Sequence, residues 1–572
     1  MKRINGGEVL VRALQSLDVS TVFTLHGGHL DPAYTAADAA GIRLVDTRHE
    51  QAAGIAATGY ARSTGQVGVA LATAGGGVTN LVTAITNAYA DGVPSVFIGG
   101  APPLMDADAL PVNSGYEQMS VMRGITKWSR QVTDIRLLSE TVTRAFHWAT
   151  QGRPGPVYID IPSDVMFAHI DSEDPSLAFK PFPVSRPAPS PSSIESVLKI
   201  LSSAERPVIL AGGGVAYAQA GALLTRFADT TGVPILTNNK ARGEISTDHP
   251  LSGRGFSALA GAAKAGTPAD VVVLLGARRG IYTGGRRTPL ISTSATVIQV
   301  DVLAEEIGRL GQVHLGVVAD ASEFLRAALE SASTVNWPDF STWAQALRPK
   351  AAQAEVSGNG AISPEALATV VSELVPEDTI YVLDGGETPA WMDPRASVTG
   401  PGSWLAHGYL GIMGEGLPLA VGAKTGNPER PVVCFTGDGA VGFNISEFDT
   451  MVRHELPIVV IVNNDAQWAM SSHGQDLLYG PGNRVVTELR HTRYDLVAEG
   501  FGAHGELVES LDQLPEAIER SFASGLPACI NVITNGQDIA TVTKRMIGAA
   551  ADGLVSPAGG SRVPYADILE VV

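Results

Sequence analysis

Between Pro431 and Trp468 the chain reads PVVCFTGDGAVGFNISEFDTMVRHELPIVVIVNNDAQW, two apolar runs separated by a helix-length segment. A strand, a helix and a second strand in this order form a right-handed crossover, so both strands belong to one parallel sheet. The loops that follow them then lie at the carboxyl edge, where open parallel sheets bind ligands. The first run, Val432 to Thr436, ends at Gly437-Asp438-Gly439. Its glycines let backbone amides approach an anion, and Asp438 offers a hard oxygen ligand. The second run, Ile458 to Val462, ends in Asn463-Asn464-Asp465, which adds further oxygen donors. Mg²⁺ suits that pair of loops, and a diphosphate is the anion it would hold. A GDG triplet by itself is more often a turn or a helix cap. The whole strand-GDG-helix-strand-NND unit is far more specific.

The same theme of apolar strand, Gly-rich turn and helix recurs along all 572 residues, which are too many for one hydrophobic core. The expected fold class is α/β, with three stacked open parallel-sheet domains. The first domain spans 1–180 and ends at the linker KPFPVSRPAPSPSS, whose prolines oppose helix and sheet alike. A central domain, 190–345, holds the runs RPVILAGGG, VPILTNN, DVVVLLGAR and ATVIQVD. The third, 360–545, carries TIYVLDGG, the GDG unit and PACINVI, and 546–572 form a Gly- and Ala-rich tail.

A net charge of −18 argues against nucleic acid as a partner, since phosphate binding needs a broad basic face. No run reaches the roughly 18 apolar residues of a membrane span, and MKRINGGEVLVRALQSL is an amphipathic helical pattern rather than a signal core. A soluble, cytoplasmic protein without membrane contact is expected. Cys434 and Cys529 sit in apolar strand-like runs and read as buried thiols.

Near the N-terminus, VDTRHEQAAGIAATGYAR places Glu50 between a short apolar strand, Ile42 to Val45, and an alanine-rich helix. The helix dipole alone accounts for an acid there. LHGGHL sets His26 and His29 three residues apart, and a lone loop histidine is usually solvated or structural. Met413, between glycines in HGYLGIMG, reads as a core residue in a tight turn, and TAGGGVTN as a turn opening a helix.

Taken in order, LHGGHL, DTRHEQAAG, TAGGGVTN, GYEQMSVMRGITKW, GPVYIDIP, HGYLGIMG, the GDG unit and GPGNRV extend through all three domains. With them the chain resembles the thiamine diphosphate enzymes of the acetohydroxyacid synthase superfamily. Among these it looks similar to the 2-hydroxyacyl-CoA lyases and benzaldehyde lyase. The resemblance names the domains pyrimidine-binding, central and diphosphate-binding, and implies thiamine diphosphate and Mg²⁺ as cofactors. It gives Glu50 the contact to the aminopyrimidine ring that favours its imino tautomer. Asn80, Gly411 and Met413 would lie along the pyrimidine end, with Met413 holding the cofactor bent. Gly386, Glu387, Thr388, Gly437, Asp438, Gly439 and Ala440 would line the diphosphate, Glu387 through its backbone amide only. In the family the second Asn of the NN pair and a carbonyl two residues on complete the magnesium shell. The literal pair nominates Asn464, whereas the count 465 − 438 = 27 nominates Asp465 with the Gln467 carbonyl, and Asp465 is favoured.

The resemblance further implies that His26, His29, Gln118 and His407 bind the substrate and relay protons to its hydroxyl. Glu488, on a short helix in the CoA lyases, would act as a proton shuttle; as a surface acid it would do nothing. Paired arginines suit phosphate oxygens, so Arg278, Arg286 and Arg287 in GARRGIYTGGRRTPL would hold CoA, though a solvated loop or a subunit salt bridge explains them equally well. The expected reaction is carbon–carbon lysis or ligation, first of a 2-hydroxyacyl-CoA to formyl-CoA and an aldehyde or ketone. Benzaldehyde-lyase-like cleavage of free acyloins, acetolactate synthesis and 2-oxoacid decarboxylation are the alternatives, and a non-catalytic subunit the remaining one. The family places the cofactor between subunits, so a homodimer is the expected minimum and a homotetramer the expected assembly, with the tail as a lid.

Overall fold

The computed structural model describes residues 2–283, 285, 290–348 and 361–554, apart from the side chains of Ala107 and residues 548–554. Arg286, Arg287 and residues 555–572 of the tail lie outside the described residues. The described residues form three six-stranded sheets, each layered with helices, and a two-stranded antiparallel pair, Arg3–Asn5 with His169–Asp171. Among the described residues no helix is long and apolar enough to cross a membrane.

The described residues gather into two compact units. The first comprises those of Met1–Arg186, His407–Val432 and Asn444–Ile458. Its sheet runs in the order Arg43–Asp46, Thr21–Leu25, Gly68–Ala72, Ser95–Ala101, Pro156–Pro162, Trp128–Gln131, with every pairing parallel. Strands such as Gly68–Ala72 are buried along their whole length, as expected where helices cover both faces of a parallel sheet. Two helices of this unit carry Glu50 and Asn80. Glu50–Thr64 begins at Glu50 itself, capped by the His49 ring, which accepts from Gln51 N–H at 3.1 Å. Gly76–Asp91 begins after Gly75, whose φ of +70° suits glycine.

The second unit comprises the described residues of Pro187–Ala406, Val433–Phe443 and Val459–Val572. Its central sheet, Ser252–Gly255, Ile235–Thr237, Pro207–Ala211, Val271–Leu275, Thr296–Asp301, Leu315–Val318, is again parallel throughout. The remaining sheet has the order Trp404–Ala406, Ile380–Asp384, Val432–Gly437, Val459–Asn464, Ala528–Ile533, His504–Val508. Strands Ile380–Asp384, Val432–Gly437 and Val459–Asn464 are thus consecutive neighbours in space. Cys434 and Cys529 are free and buried in this sheet.

Several local expectations are corrected. Between strands Val432–Gly437 and Val459–Asn464 stand two short helices, Asp438–Val441 and Glu447–Arg453, instead of one. The break includes Gly442 and Asn444, whose buried amide turns to bond Gly414 O at 2.5 Å. The proline linker is extended and mostly exposed, but its final residues open the helix Pro191–Ser202 behind a Ser190 cap. The boundary expected between 545 and 546 falls inside the helix Thr541–Leu554, so the third domain and the tail are continuous there.

Candidate active site

In the second unit, neighbouring strand ends bring the proposed diphosphate and metal residues together. Gly437 and Thr388 are in near contact, since a Cβ added to Gly437 would stand 3.0 Å from Thr388 Oγ1. Gly385, with φ of +108°, makes the turn that brings Thr388 to the GDG loop, while Gly386 faces Met470. A Cβ on Gly439 would meet the Trp468 ring at 2.6 Å, so only glycine allows this approach. Ala440 is buried behind it.

Asp438 is buried, and its Oδ1 accepts from Gly439 N–H at 2.8 Å while Oδ2 is buried without a partner. Burial, then the nearby Asp465, pushes its pKa up to about 8. Asp465 is itself pushed up to about 6, chiefly by burial. Asn464 faces elsewhere: its amide donates to Asn531 Oδ1 (2.9 Å) and Thr492 O (3.0 Å). A pair of desolvated carboxylates with an unpartnered oxygen is the donor set a hard divalent cation fits, and Mg²⁺ meets that description.

Glu488 is not helical. It is exposed between buried Thr487 and half-buried Leu489, and pairs antiparallel with Gln467 through Trp468 N–H to Thr487 O (2.8 Å) and Leu489 N–H to Ala466 O (2.7 Å). That pairing sets Glu488 across from Gln467 and leaves the Gln467 carbonyl out of its two bonds. The Glu387 side chain does not face a diphosphate. It is buried against His473, with Nδ1 at 3.0 and 3.1 Å from its two oxygens. Burial alone would lower the His473 pKa, but Glu387 lifts it above its ordinary value. Arg278 is partly buried at the end of strand Val271–Leu275.

In the first unit, Asn80 Nδ2 donates to Glu50 Oε2 at 2.9 Å, tying the start of one helix to the first turns of another. His26 is exposed and paired with Asp31 at 2.9 Å. His29 Nδ1 lies 3.0 Å from Thr73 Oγ1, and burial lowers its pKa. Gln118 is buried with its whole amide engaged. Oε1 accepts from Gly75 N–H (2.8 Å), and Nε2 donates to Asp160 Oδ1 (2.7 Å) and Gly100 O (3.0 Å). Gly100 is where His29 and Gln118 come together, because a Cβ there would stand 2.8 Å from His29 Cβ. Gln118 is therefore built into a network with Asp160, Tyr158 and Gln131, and neither amide hydrogen is left over for a substrate hydroxyl. His407 Nδ1 is buried without a partner, and burial lowers the ring's pKa. Gly411 and Met413 lie exposed nearby in sequence, Gly411 at φ of +66°.

Sequence reasoning missed His473 and Asp160. His473 carries no motif, and its partner Glu387 lies 86 residues away. Asp160 stands in GPVYIDIP, where a polar residue inside a fully buried strand was the available signal.

The described residues form α/β sheets with a buried carboxylate pair and glycine turns at adjoining strand ends. Three family models cover it in sequence. Residues 4–123 match the thiamine pyrophosphate enzyme N-terminal TPP binding domain, 194–328 the central domain and 384–532 the C-terminal TPP binding domain. The chain belongs to the thiamine pyrophosphate (thiamine diphosphate) enzymes. Acetolactate synthase large subunit IlvG of Mycobacterium tuberculosis is 32% identical over 93% of this chain and 96% of that protein. Human 2-hydroxyacyl-CoA lyase 2 is 31% identical over 93% of this chain and 90% of that protein. The fold is shared with the thiamine diphosphate-dependent 4-hydroxybenzoylformate decarboxylase of Rhodococcus jostii RHA1, with a TM-score of 0.82 at 24% identity, covering 93% of this chain and 99% of that one.

Proposed function

We propose that the protein is a thiamine diphosphate- and Mg²⁺-dependent carbon–carbon lyase and carboligase that cleaves a 2-hydroxyacyl-CoA to formyl-CoA and an aldehyde or ketone. The observation that carries the cofactor reading is the buried, unpartnered Asp438 Oδ2 beside Asp465 at the glycine turns. The CoA reading is supported by similarity to the human 2-hydroxyacyl-CoA lyase 2 along nearly the whole chain. Asp438, Asp465 and the Gln467 carbonyl would hold the metal, and the backbone at Gly386, Thr388, Gly439 and Ala440 would meet the diphosphate. Bound there, thiamine diphosphate supplies a carbon nucleophile and an electron sink.

The chain's own residues do the rest. Glu50, oriented by Asn80, meets the aminopyrimidine and holds a proton at its ring nitrogen. His29, kept neutral by burial, accepts the substrate hydroxyl proton as the carbon–carbon bond opens and returns it to the product. Gln118 positions the Gly75 turn and the Gly100 strand. Glu488 is a second proton carrier at the rim, Arg278 a contact for CoA phosphate. A homodimer, assembled further into a tetramer in the cytoplasm, is the working form.

Acetolactate synthesis is the second reading, favoured by the relatives of that name. Incubation with thiamine diphosphate, Mg²⁺ and a short 2-hydroxyacyl-CoA, pyruvate or benzoin separates the readings. Aldehyde release from the thioester supports the CoA lyase. Acetolactate from pyruvate, or cleavage of benzoin alone, would overturn it.

A further inference from the structure

Gln467 does more than present a carbonyl. Its amide nitrogen donates to Gly536 O (3.0 Å) and Asp465 Oδ2 (3.3 Å), and its oxygen accepts from Arg484 (2.8 Å). The same Gly536 carbonyl lies 3.1 Å from Nε2 of His473, whose other ring nitrogen is held by Glu387. Glu387 belongs to the glycine turn beside Gly437, and both members of the pair are almost fully buried. Just beyond Gly536, Ala540 N–H points at Glu387 Oε2 (3.5 Å) and the chain enters the helix Thr541–Leu554. Ile547 of that helix packs on Gly474, the residue after His473, where an added Cβ would come within 3.1 Å of it.

Three chain segments therefore meet at one buried ion pair: the turn at 385–388, the loop and helix from Asp465 to Gly474, and the link that ends in the C-terminal helix. Burying a carboxylate is unfavourable unless it is paired and hydrogen-bonded, so Glu387 and His473 each need the other in place. When the link moves, His473 and Gln467 lose the Gly536 carbonyl together, and Gln467 is the group that steadies Asp465.

We propose that His473 and Glu387 are positioning residues that couple docking of the Thr541–Leu554 helix to the geometry of the Asp465 loop, so that cation and diphosphate bind more tightly when the helix is docked. By linkage the dependence is mutual: loading the site holds the helix down. This rests on reading Asp438 and Asp465 as the cation site. A purely structural ion pair would stabilise the fold without changing either affinity.

The test uses the full-length protein, with Mn²⁺ standing in for Mg²⁺. Mn²⁺ affinity in the presence of thiamine diphosphate is read by electron paramagnetic resonance, cofactor affinity by tryptophan quenching, and helix docking by hydrogen exchange of residues 541–547. His473→Asn is expected to weaken Mn²⁺ binding about tenfold or more, the usual consequence of losing a partner behind a metal ligand. Ile547→Ala is expected to weaken it less, and the double variant less than the product of the two. In the wild type, loading slows exchange in the helix; in His473→Asn it does not. Should His473→Asn not fold, Glu387→Gln, the same size, is read by the same criteria. Wild-type Mn²⁺ affinity in these variants, with or without a lower melting temperature, overturns the coupling, as does helix exchange unaffected by loading. A wild-type protein that binds no Mn²⁺ with thiamine diphosphate would refute the cation site itself, a separate result.

Discussion

Replacing Gly422 with alanine should push away the helix that carries Glu50. The helix Gly416–Gly426 runs against Glu50–Thr64 at backbone contact, and a Cβ on Gly422 would stand 1.9 Å from Ala56 O and 2.7 Å from Tyr60 N. The relation is reciprocal, with a Cβ on Gly59 at 2.4 Å from Leu419 O. Ordinary contact begins at 3.4 Å, so the helices must part by 3.4 − 1.9 = 1.5 Å. Both obstacles are backbone, and no side-chain rotation relieves them. Overpacking of this kind costs about 3 kcal/mol, of which alanine's better helix propensity returns about 1, leaving a loss of about 2 kcal/mol. Glu50 is the first residue of the displaced helix, and a shift of about 1 Å at a reacting group costs about a hundredfold in rate. Thermal unfolding and kcat at saturating cofactor read the two effects. Gly261→Ala is the control: it lies exposed in the helix Ala258–Lys264 with nothing within 4 Å of the added Cβ, so it should stabilise by about 0.5–1 kcal/mol. A Gly422→Ala protein with unchanged melting temperature and kcat within about twofold of wild type would refute the close helix approach as the constraint on Glu50.

Glu244 is buried with one unpartnered oxygen, and burial pushes its pKa from 4.5 up to about 7. The native state therefore holds the proton more tightly, and the stability this contributes is full below pH 4.5 and lost as pH rises through 7. Glu244→Gln should match wild type at low pH and exceed it in alkali by at most about 3.4 kcal/mol, from 7 − 4.5 = 2.5 pH units at about 1.36 each, measured by urea unfolding across pH. Arg242 is buried, stacked 4.4 Å over Trp404 and paired with Asp393; Arg242→Ala should cost about 2–4 kcal/mol by calorimetry, and Arg242→Lys should not restore it. Asp438→Asn should raise the melting temperature of the cofactor-free protein at alkaline pH, because it removes a carboxylate whose charge burial and Asp465 disfavour. The same variant should gain no stability from thiamine diphosphate with Mg²⁺, whereas chelation should return loaded wild type to its cofactor-free melting temperature.

What could be read in the chain was what each segment requires locally. Runs such as VVVLL and VVCF are apolar at every position, as a strand covered on both faces requires, so the parallel sheets followed from residue type. Glu50 at a helix start and Asp438 between glycines were legible because their neighbours limit the backbone. The short helix that the resemblance implied around Glu488 is replaced by an antiparallel pairing with Gln467, a contact that no local pattern in the chain announces. Nothing local marks His473 as Glu387's partner, or Asp160 as the acceptor that holds Gln118. Those pairings arise from the order of strands in the sheet, which is not their order in the chain: Ile380–Asp384 lies beside Val432–Gly437, and only then does Thr388 meet Gly437. A side chain whose role is fixed by such adjacency carries no sequence signal beyond being polar where its neighbours are buried. That was the only trace Asp160 left within an otherwise buried strand.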